Sequence, residues 1–263
     1  MNIYIHVEVA ARELDSKLLL AVLAASKGHQ VILINEIIDG LKMKVLAPGI
    51  YHTKSLNPIG DKINRHQKLI DNGFAITSID EEGGLVDYGY ETFAKRRYSE
   101  ETVKQASAIF GWGDEDSEVL KQTYAKYSKK IHKTGSPRAD LWKPFFSDYW
   151  ETPKEKPKKP FLLISSNLAT GNNINGLHKI VSFQQSKGYY NREPELFGKH
   201  FGLAAENNLM IFAYVKAAQH LSNNKNYDIV LRPHLNENME AWKIYLKGIP
   251  NVHVIREGPI DVW

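Results

Sequence analysis

Short apolar runs separated by helix-length segments constrain this chain more than any other feature of it. Val31-Ile32-Leu33-Ile34 is a continuous apolar run, as in a parallel strand covered on both faces. Upstream, Ile3-Tyr4-Ile5-His6-Val7-Glu8-Val9 alternates apolar and polar residues and predicts another strand. Between them, Leu14 to Ser26 is rich in Leu and Ala, and Gly28 supplies a C-terminal cap, so this stretch predicts a helix. Strand, helix and strand in about 35 residues form a βαβ unit, the usual way to connect parallel strands.

The pattern recurs. Helices are predicted over Asp61–Asn72, Glu100–Ala106 and Asp114 to Tyr127, and strands over Phe74–Ile79, Ala108–Phe110 and Lys130–Lys133. Met43–Tyr51 is a further strand candidate. Such alternation predicts a Rossmann-like, doubly wound α/β domain over residues 1–150. Residues 151–160 read ETPKEKPKKP, with three prolines, four lysines and no apolar residue, and predict a solvated linker. A competing reading is a polybasic contact to anionic lipid, helped by Trp142, Phe145, Phe146, Tyr149 and Trp150.

A second α/β pattern follows over 161–263. Strands are predicted at Phe161–Ile164, Asp228–Leu231 and Val252–Ile255, and helices at Phe201–Leu221 and Glu237–Leu246. Three strands are few for an independent sheet, and Pro259-Ile260-Asp261 resembles the first turn of a helix. The expectation is a partial second Rossmann-like domain and weak or absent turnover by this chain alone.

Composition narrows the function classes. The 263 residues are 43% hydrophobic and 24% charged, as in soluble globular proteins. No run approaches the ~18 apolar residues of a membrane span. The absence of cysteine excludes disulfides, thiolate metal sites and cysteine nucleophiles, and fits a cytoplasmic protein. A net charge of +4 falls short of the basic footprint of a nucleic-acid binder, and suits anionic small molecules or a membrane surface.

In open α/β sheets, ligands bind outside the carboxyl ends of the strands. There the first domain carries Arg12-Glu13, Glu81-Glu82-Gly83-Gly84 and Gly135-Ser136-Pro137-Arg138. The second carries Ser165-Ser166-Asn167 and Arg232-Pro233-His234. Two such domains facing each other would gather these clusters around one cleft. Crowded carboxylates at Asp80-Glu81-Glu82 raise one another's pKa and suit general acid–base work, although a solvated acidic turn has the same composition. Arg232 offers a bidentate fork for phosphate, and His234 can donate to a phosphate oxygen or leaving group. Ser165, Ser166 and Asn167, with Gly171-Asn172-Asn173 beyond, form a small polar loop able to line a phosphate.

Asp114-Glu115-Asp116 matches a metal-binding D-x-D, but it follows Gly111-Trp112-Gly113 and opens a helix, where acids cap free N–H groups. Capping is the reading adopted, and no other spacing suggests a metal site. Dinucleotide, P-loop and esterase motifs are absent from the sequence. His6 and His52 are read as structural.

Taken in order, Arg12-Glu13-Leu14-Asp15-Ser16-Lys17-Leu18-Leu19-Leu20, Glu81-Glu82-Gly83, Thr134-Gly135-Ser136-Pro137-Arg138-Ala139-Asp140 and Arg232-Pro233-His234 resemble the bacterial surface carbohydrate (surface polysaccharide) biosynthesis proteins, a family of GT-B glycosyltransferase architecture. The acid-acid-Gly and His motifs are also similar to those of bacterial sialyltransferases and Kdo transferases, although Leu235 follows His234 where the sialyltransferase-type motif has proline. The resemblance implies two Rossmann-like domains, acceptor side first and donor side second. It implies a metal-independent, cofactor-free transfer of sugar from a nucleotide-activated donor to a glycan or glycolipid acceptor. Glu81 or Glu82 would be the catalytic acid, with Arg232 and His234 on the donor phosphate. Arg12, Glu13 and Arg138 would line the acceptor side. The implied location is cytoplasmic, or peripheral at the inner face of the cell membrane, with no nucleic-acid partner. The alternatives are a sugar-nucleotide epimerase or glycerophosphotransferase of the same architecture, or a non-catalytic binding or assembly module.

Overall fold

The computed structural model describes residues 1–35, 45–84, 86, 89–186, 188–192 and 194–263. Two compact units divide the chain, Met1–Tyr149 and Trp150–Trp263. Each is a Rossmann-like α/β unit built on a parallel sheet, one of six strands and one of three.

The strands of the first unit are β1 (Asn2–His6), β2 (Gln30–Ile34), β3 (Gly49–Thr53), β4 (Ala75–Ile79), β5 (Ala106–Gly111) and β6 (Ile131–Lys133). Its helices are α1 (Ala10–Ser26), α2 (Lys62–Asp71), α3 (Tyr90–Arg97), α4 (Glu100–Gln105), α5 (Asp114–Thr123) and the short α6 (Pro137–Asp140). Strand order is β2-β1-β3-β4-β5-β6, with every neighbouring pair parallel. The chain steps one way from β1 to β2 and the other way from β3 to β6. Right-handed crossovers therefore place α1 on one face of the sheet and α2 to α5 on the other. Alternate strand residues show it: Tyr4, Tyr51, Ile76 and Ile109 join Leu69, Phe93, Val103 and Leu120 in the main core. Their neighbours Ile3, Ile5, Ile50 and Ile79 lie on the α1 side, with Leu20 and Ala24.

Several boundaries differ from expectation for local reasons. The first strand stops at His6, and α1 starts at Ala10 rather than Leu14, which puts Glu13 in the first turn where the helix dipole favours an acid. The helix expected through Tyr127 ends at Thr123, and Ala125–Lys130 tightens into a 3₁₀ helix. Helix α3 was not expected, yet Glu91 in its first turn and Lys95, Arg96 and Arg97 in its last complement its dipole. The Met43–Tyr51 strand candidate begins outside the described residues, and the strand formed is Gly49–Thr53.

In the second unit β7 (Phe161–Ser166), β8 (Asp228–Pro233) and β9 (Val252–Val254) pair in that order. The helices are α7 (Leu177–Ser186), α8 (Tyr189–Arg192), α9 (Glu195–Leu221) and α10 (Met239–Tyr245). Leu231 of β8, Ile211 and Ala218 of α9, and Trp242 of α10 form the core. Residues 151–160, expected as a solvated linker, lie against this unit's last residues. Glu155 N–H donates to Glu257 Oε2 at 2.8 Å and Lys156 Nζ to the Val262 carbonyl at 2.6 Å. The Lys156 ammonium also sits 5.9 Å from the Trp263 ring centroid. Where a helix was expected to start after Pro259, Ile260–Val262 make one 3₁₀ turn. No helix among the described residues is long and apolar enough to cross a membrane.

Candidate active site

The strand order of the first unit reverses between β1 and β3, and the carboxyl ends of two such strands diverge to leave a crevice. A polar cavity of about 250 Å³ opens there. Glu8 reaches it from the end of β1, Lys54, Ser55 and Asn57 from the loop after β3, and Lys62, Glu82 and Arg97 complete its walls.

A network of ion pairs holds these side chains. Arg97 grips Asp80 with two bonds, Nε to Oδ2 at 3.0 Å and Nη2 to Oδ1 at 2.9 Å, and reaches Glu82 Oε2 with Nη1 at 2.9 Å. Asp80 Oδ1 also accepts the Glu82 N–H, which turns the chain sharply after β4. Trp112 Nε1–H donates to the Asp80 carbonyl at 2.7 Å and lays its ring on the glycines. A Cβ at Gly84 would come 2.6 Å from that ring, so the turn needs glycine there. Burial pushes the Asp80 carboxyl above the usual aspartate range, against the opposing hold of Arg97.

The two adjacent glutamates have different surroundings. Glu81 is buried and ion-paired with Lys17 of α1, itself buried. The Glu82 side chain is 50% exposed, bound by Arg97, with Arg12 Nη1 3.9 Å away. Glu13 is buried, accepting the Glu8 N–H at 3.0 Å and Arg12 Nη2 at 2.9 Å. The Lys54 ammonium lies against Glu8, and burial holds it below the usual lysine range, partly offset by Glu82. Lys62 Nζ donates to Ser55 Oγ at 3.1 Å. The structure thus brings together Arg12, Glu13, Glu81 and Glu82, and leaves Glu82 as the accessible carboxylate of the adjacent pair. Arg138 is on α6, beside a different cavity.

In the second unit the loops after β7 and β8 are tied to each other. The Ile174 N–H donates to the Asn236 carbonyl, and the Asn238 N–H to the Asn172 carbonyl. A fully buried carboxylate, Glu237, anchors both loops: its Oε1 accepts Ser166 Oγ–H and the His234 N–H, each at 2.9 Å, and its Oε2 accepts Trp242 Nε1–H at 2.8 Å. The His234 ring is exposed, and its Nδ1 accepts the Asn236 N–H at 3.2 Å. With Nδ1 accepting, Nε2 is the ring nitrogen that carries a proton and can donate. Ser165 and Asn167 are exposed beside it, whereas Ser166 is buried against Glu237. Arg232 is buried as well. Its guanidinium donates to the carbonyls of Glu257 (3.0 Å) and Gly258 and stacks on Trp263, so its fork is turned to the unit's own backbone.

Glu237 was read from sequence as a helix start, and only its position between two loops reveals its role. Changing Glu237→Gln replaces an acceptor with a donor against one of three hydrogen-bond donors. We expect a loss of about 2–3 kcal/mol in the second unit, and exchange of the most protected β8 amides about 30- to 150-fold faster. Hydrogen exchange read by NMR measures it, and unchanged protection along β8 would refute this role for Glu237.

Asp114-Glu115-Asp116 caps α5 as expected: Asp116 accepts the N–H groups of Gly113 and Trp112, both at 2.8 Å, and Asp114 pairs with Lys133 at 2.5 Å. Among the described residues no group of His, Asp or Glu is arranged to hold a metal. Sequence reasoning missed Lys54, Lys62 and Arg97; the charge pattern of α3 was a usable signal for Arg97.

No protein-family model matches the sequence, and no curated protein matches it. Solved structures do. MnaA of S. aureus, solved with UDP, superposes with a TM-score of 0.55 over 99% of this chain and 70% of its own, at 13% identity. A UDP-N-acetylglucosamine 2-epimerase gives a TM-score of 0.46 at 12% identity, covering 97% of this chain and 67% of that one. An α-glucosyltransferase solved with UDP and a 13-mer DNA gives 0.41 at 16% identity, covering 95% and 60%. The likeness to MnaA shows the fold alone, and the two weaker superpositions carry no argument. The chain is thus an α/β protein of the GT-B, Rossmann-like kind.

Proposed function

We propose that the chain is an enzyme of nucleotide-sugar chemistry, and within that class a metal-independent glycosyltransferase acting on a glycan or glycolipid acceptor. The observation that carries it is His234. Exposed at the carboxyl end of β8, it is fixed by Glu237 and Asn236 so that Nε2–H is its donor, beside Ser165 and Asn167. An imidazole N–H donor with a hydroxyl and an amide nearby suits the oxygens of a nucleotide diphosphate, where negative charge grows as the sugar leaves. The likeness in fold to MnaA, solved with UDP, supports a uridine nucleotide as the first donor to test.

In this reading the second unit holds the donor and the first unit the acceptor. Glu82 takes the proton of the acceptor hydroxyl as oxygen bonds to the anomeric carbon and the nucleotide diphosphate departs. Glu82 is preferred to Glu81 because Lys17 and burial close Glu81 off. Arg12 and Glu13 position the Glu82 side of the cavity. Arg232 acts on the donor loop through the backbone it holds.

UDP release from a panel of UDP-sugars with glycan acceptors tests this reading. Glu82→Gln should lower turnover by about 10²-fold or more while leaving UDP affinity unchanged. His234→Ala should weaken UDP binding measured by calorimetry. Full turnover in both Glu82→Gln and Glu81→Gln would remove the carboxylate from the mechanism. Isomerised sugar formed without acceptor would mark an epimerase, and absence of nucleotide binding with firm association to another protein would mark an assembly module.

A further inference from the structure

We propose that Arg97 is the positioning residue of the acidic turn after β4: anchored on Asp80, it fixes the Glu82 carboxylate and leaves Oε1 as the oxygen that takes a proton. The last clause rests on the reading of Glu82 as proton acceptor, whereas the fixing is a property of the chain alone. Among the described residues Arg97 is the hydrogen-bond donor to the Glu82 side chain, Nη1 to Oε2 at 2.9 Å. Oε1 faces Arg12 Nη1 at 3.9 Å, beyond hydrogen-bond length.

Glu82 is half exposed, with three rotatable bonds, and a lone surface ion pair gains too little to order them. Arg97 differs from a lone partner because it is itself ordered. Nε and Nη2 both bond Asp80, which is 2% exposed, and the guanidinium lies 5.9 Å from the Phe93 ring centroid. Asp80 is fixed in turn, its Oδ1 accepting the Glu82 N–H and its carbonyl the Trp112 indole N–H. From the start of α3, Tyr90 Oη donates to the Gly84 carbonyl at 3.2 Å, so one helix grips both sides of the turn. Asp80 balances the guanidinium charge, and Glu82 receives a directed hydrogen bond from a fork already held in place.

Side-chain NMR on the full chain tests the fixing without substrate. Three-bond couplings about χ1 of Glu82 should report one rotamer in the parent and averaged rotamers in Arg97→Ala, with one rotamer restored by added guanidinium ion. Arg97→Lys keeps a cation on Asp80 but has no fork to span both carboxylates, so it should average as well. It decides the point if Arg97→Ala fails to fold. Averaging in the parent, or one rotamer kept in either variant, overturns the proposal. Turnover of UDP-sugar with acceptor is a separate readout. It should fall about 10- to 100-fold in Arg97→Lys through kcat, with KM for the donor unchanged. Added to Glu82→Gln, Arg97→Lys should cost little more, because both act through one carboxylate, and losses that multiply would make Arg97 merely structural. Turnover intact in Glu82→Gln, with Glu82 ordered by Arg97, would end the proton-accepting reading and leave the positioning standing.

Discussion

Lys17→Met is expected to destabilise the first unit by about 3–5 kcal/mol, while the double change Lys17→Met with Glu81→Leu recovers most of that loss. The Lys17 ammonium and the Glu81 carboxylate are both almost wholly withdrawn from water and face each other. Their attraction offsets the cost of desolvating two charges, and removing one partner exposes the full cost for the other. A Met–Leu pair of similar volume has no charge to desolvate, so the double variant should approach the parent. Urea unfolding of the four members of the cycle measures the coupling. If Lys17→Met costs under about 1 kcal/mol, the pair is solvated and the reason for preferring Glu82 over Glu81 fails with it.

Acid is expected to weaken the same unit well before its carboxylates titrate. Burial pulls His52 from 6.5 to about 3, and burial with Lys62, Arg65 and His6 pulls His66 to about 4. Both folded values lie below the unfolded one, so the unfolded chain binds more protons between them. The stability is therefore complete above pH 6.5 and is lost as pH falls towards 4 and then 3. At about 1.4 kcal/mol per unit, a drop to pH 4.5 removes roughly 2.7 kcal/mol for each ring, about 5 in all. That is comparable to the whole stability of a small domain. Asp80 shifts the other way, because burial raises its carboxyl, and offsets part of the loss where it titrates. Denaturation at pH 7.5 and 4.5 should show the difference, with about half of it gone in His52→Leu. Equal stability at both values would mean that the rings are hydrated in the folded state.

Part of this site was readable from residues alone. An apolar run ending in acids and glycines put Glu81 and Glu82 at the tip of β4, and Ile229-Val230-Leu231 put His234 just beyond β8. Proximity was not readable. Arg97 is 17 residues from Asp80 in sequence, on a helix whose only cue was its charge asymmetry. Arg232 was expected on a donor phosphate for its bidentate fork, and what the sequence did not show is that its guanidinium donates to carbonyls 25 and 26 residues downstream, in a segment with no motif. Glu237 is beside His234 in sequence, but Ser166, its other loop partner, is 71 residues away.

By itself the sequence determined the local order: which runs are strands, which segments can be helices, that the strands run parallel, and which polar residues follow strand ends. Those properties depend on hydrophobic period, capping and turn chemistry, all written within a few residues of where they act. Only the tertiary structure decided that β1 sits between β2 and β3. Strand order is a choice among long-range pairings that local propensity scarcely distinguishes. That one choice opens the charged crevice at the strand ends and leaves the apolar cavity under α1. It also decided which of two adjacent glutamates meets water, because burial belongs to the packed chain and not to the residue.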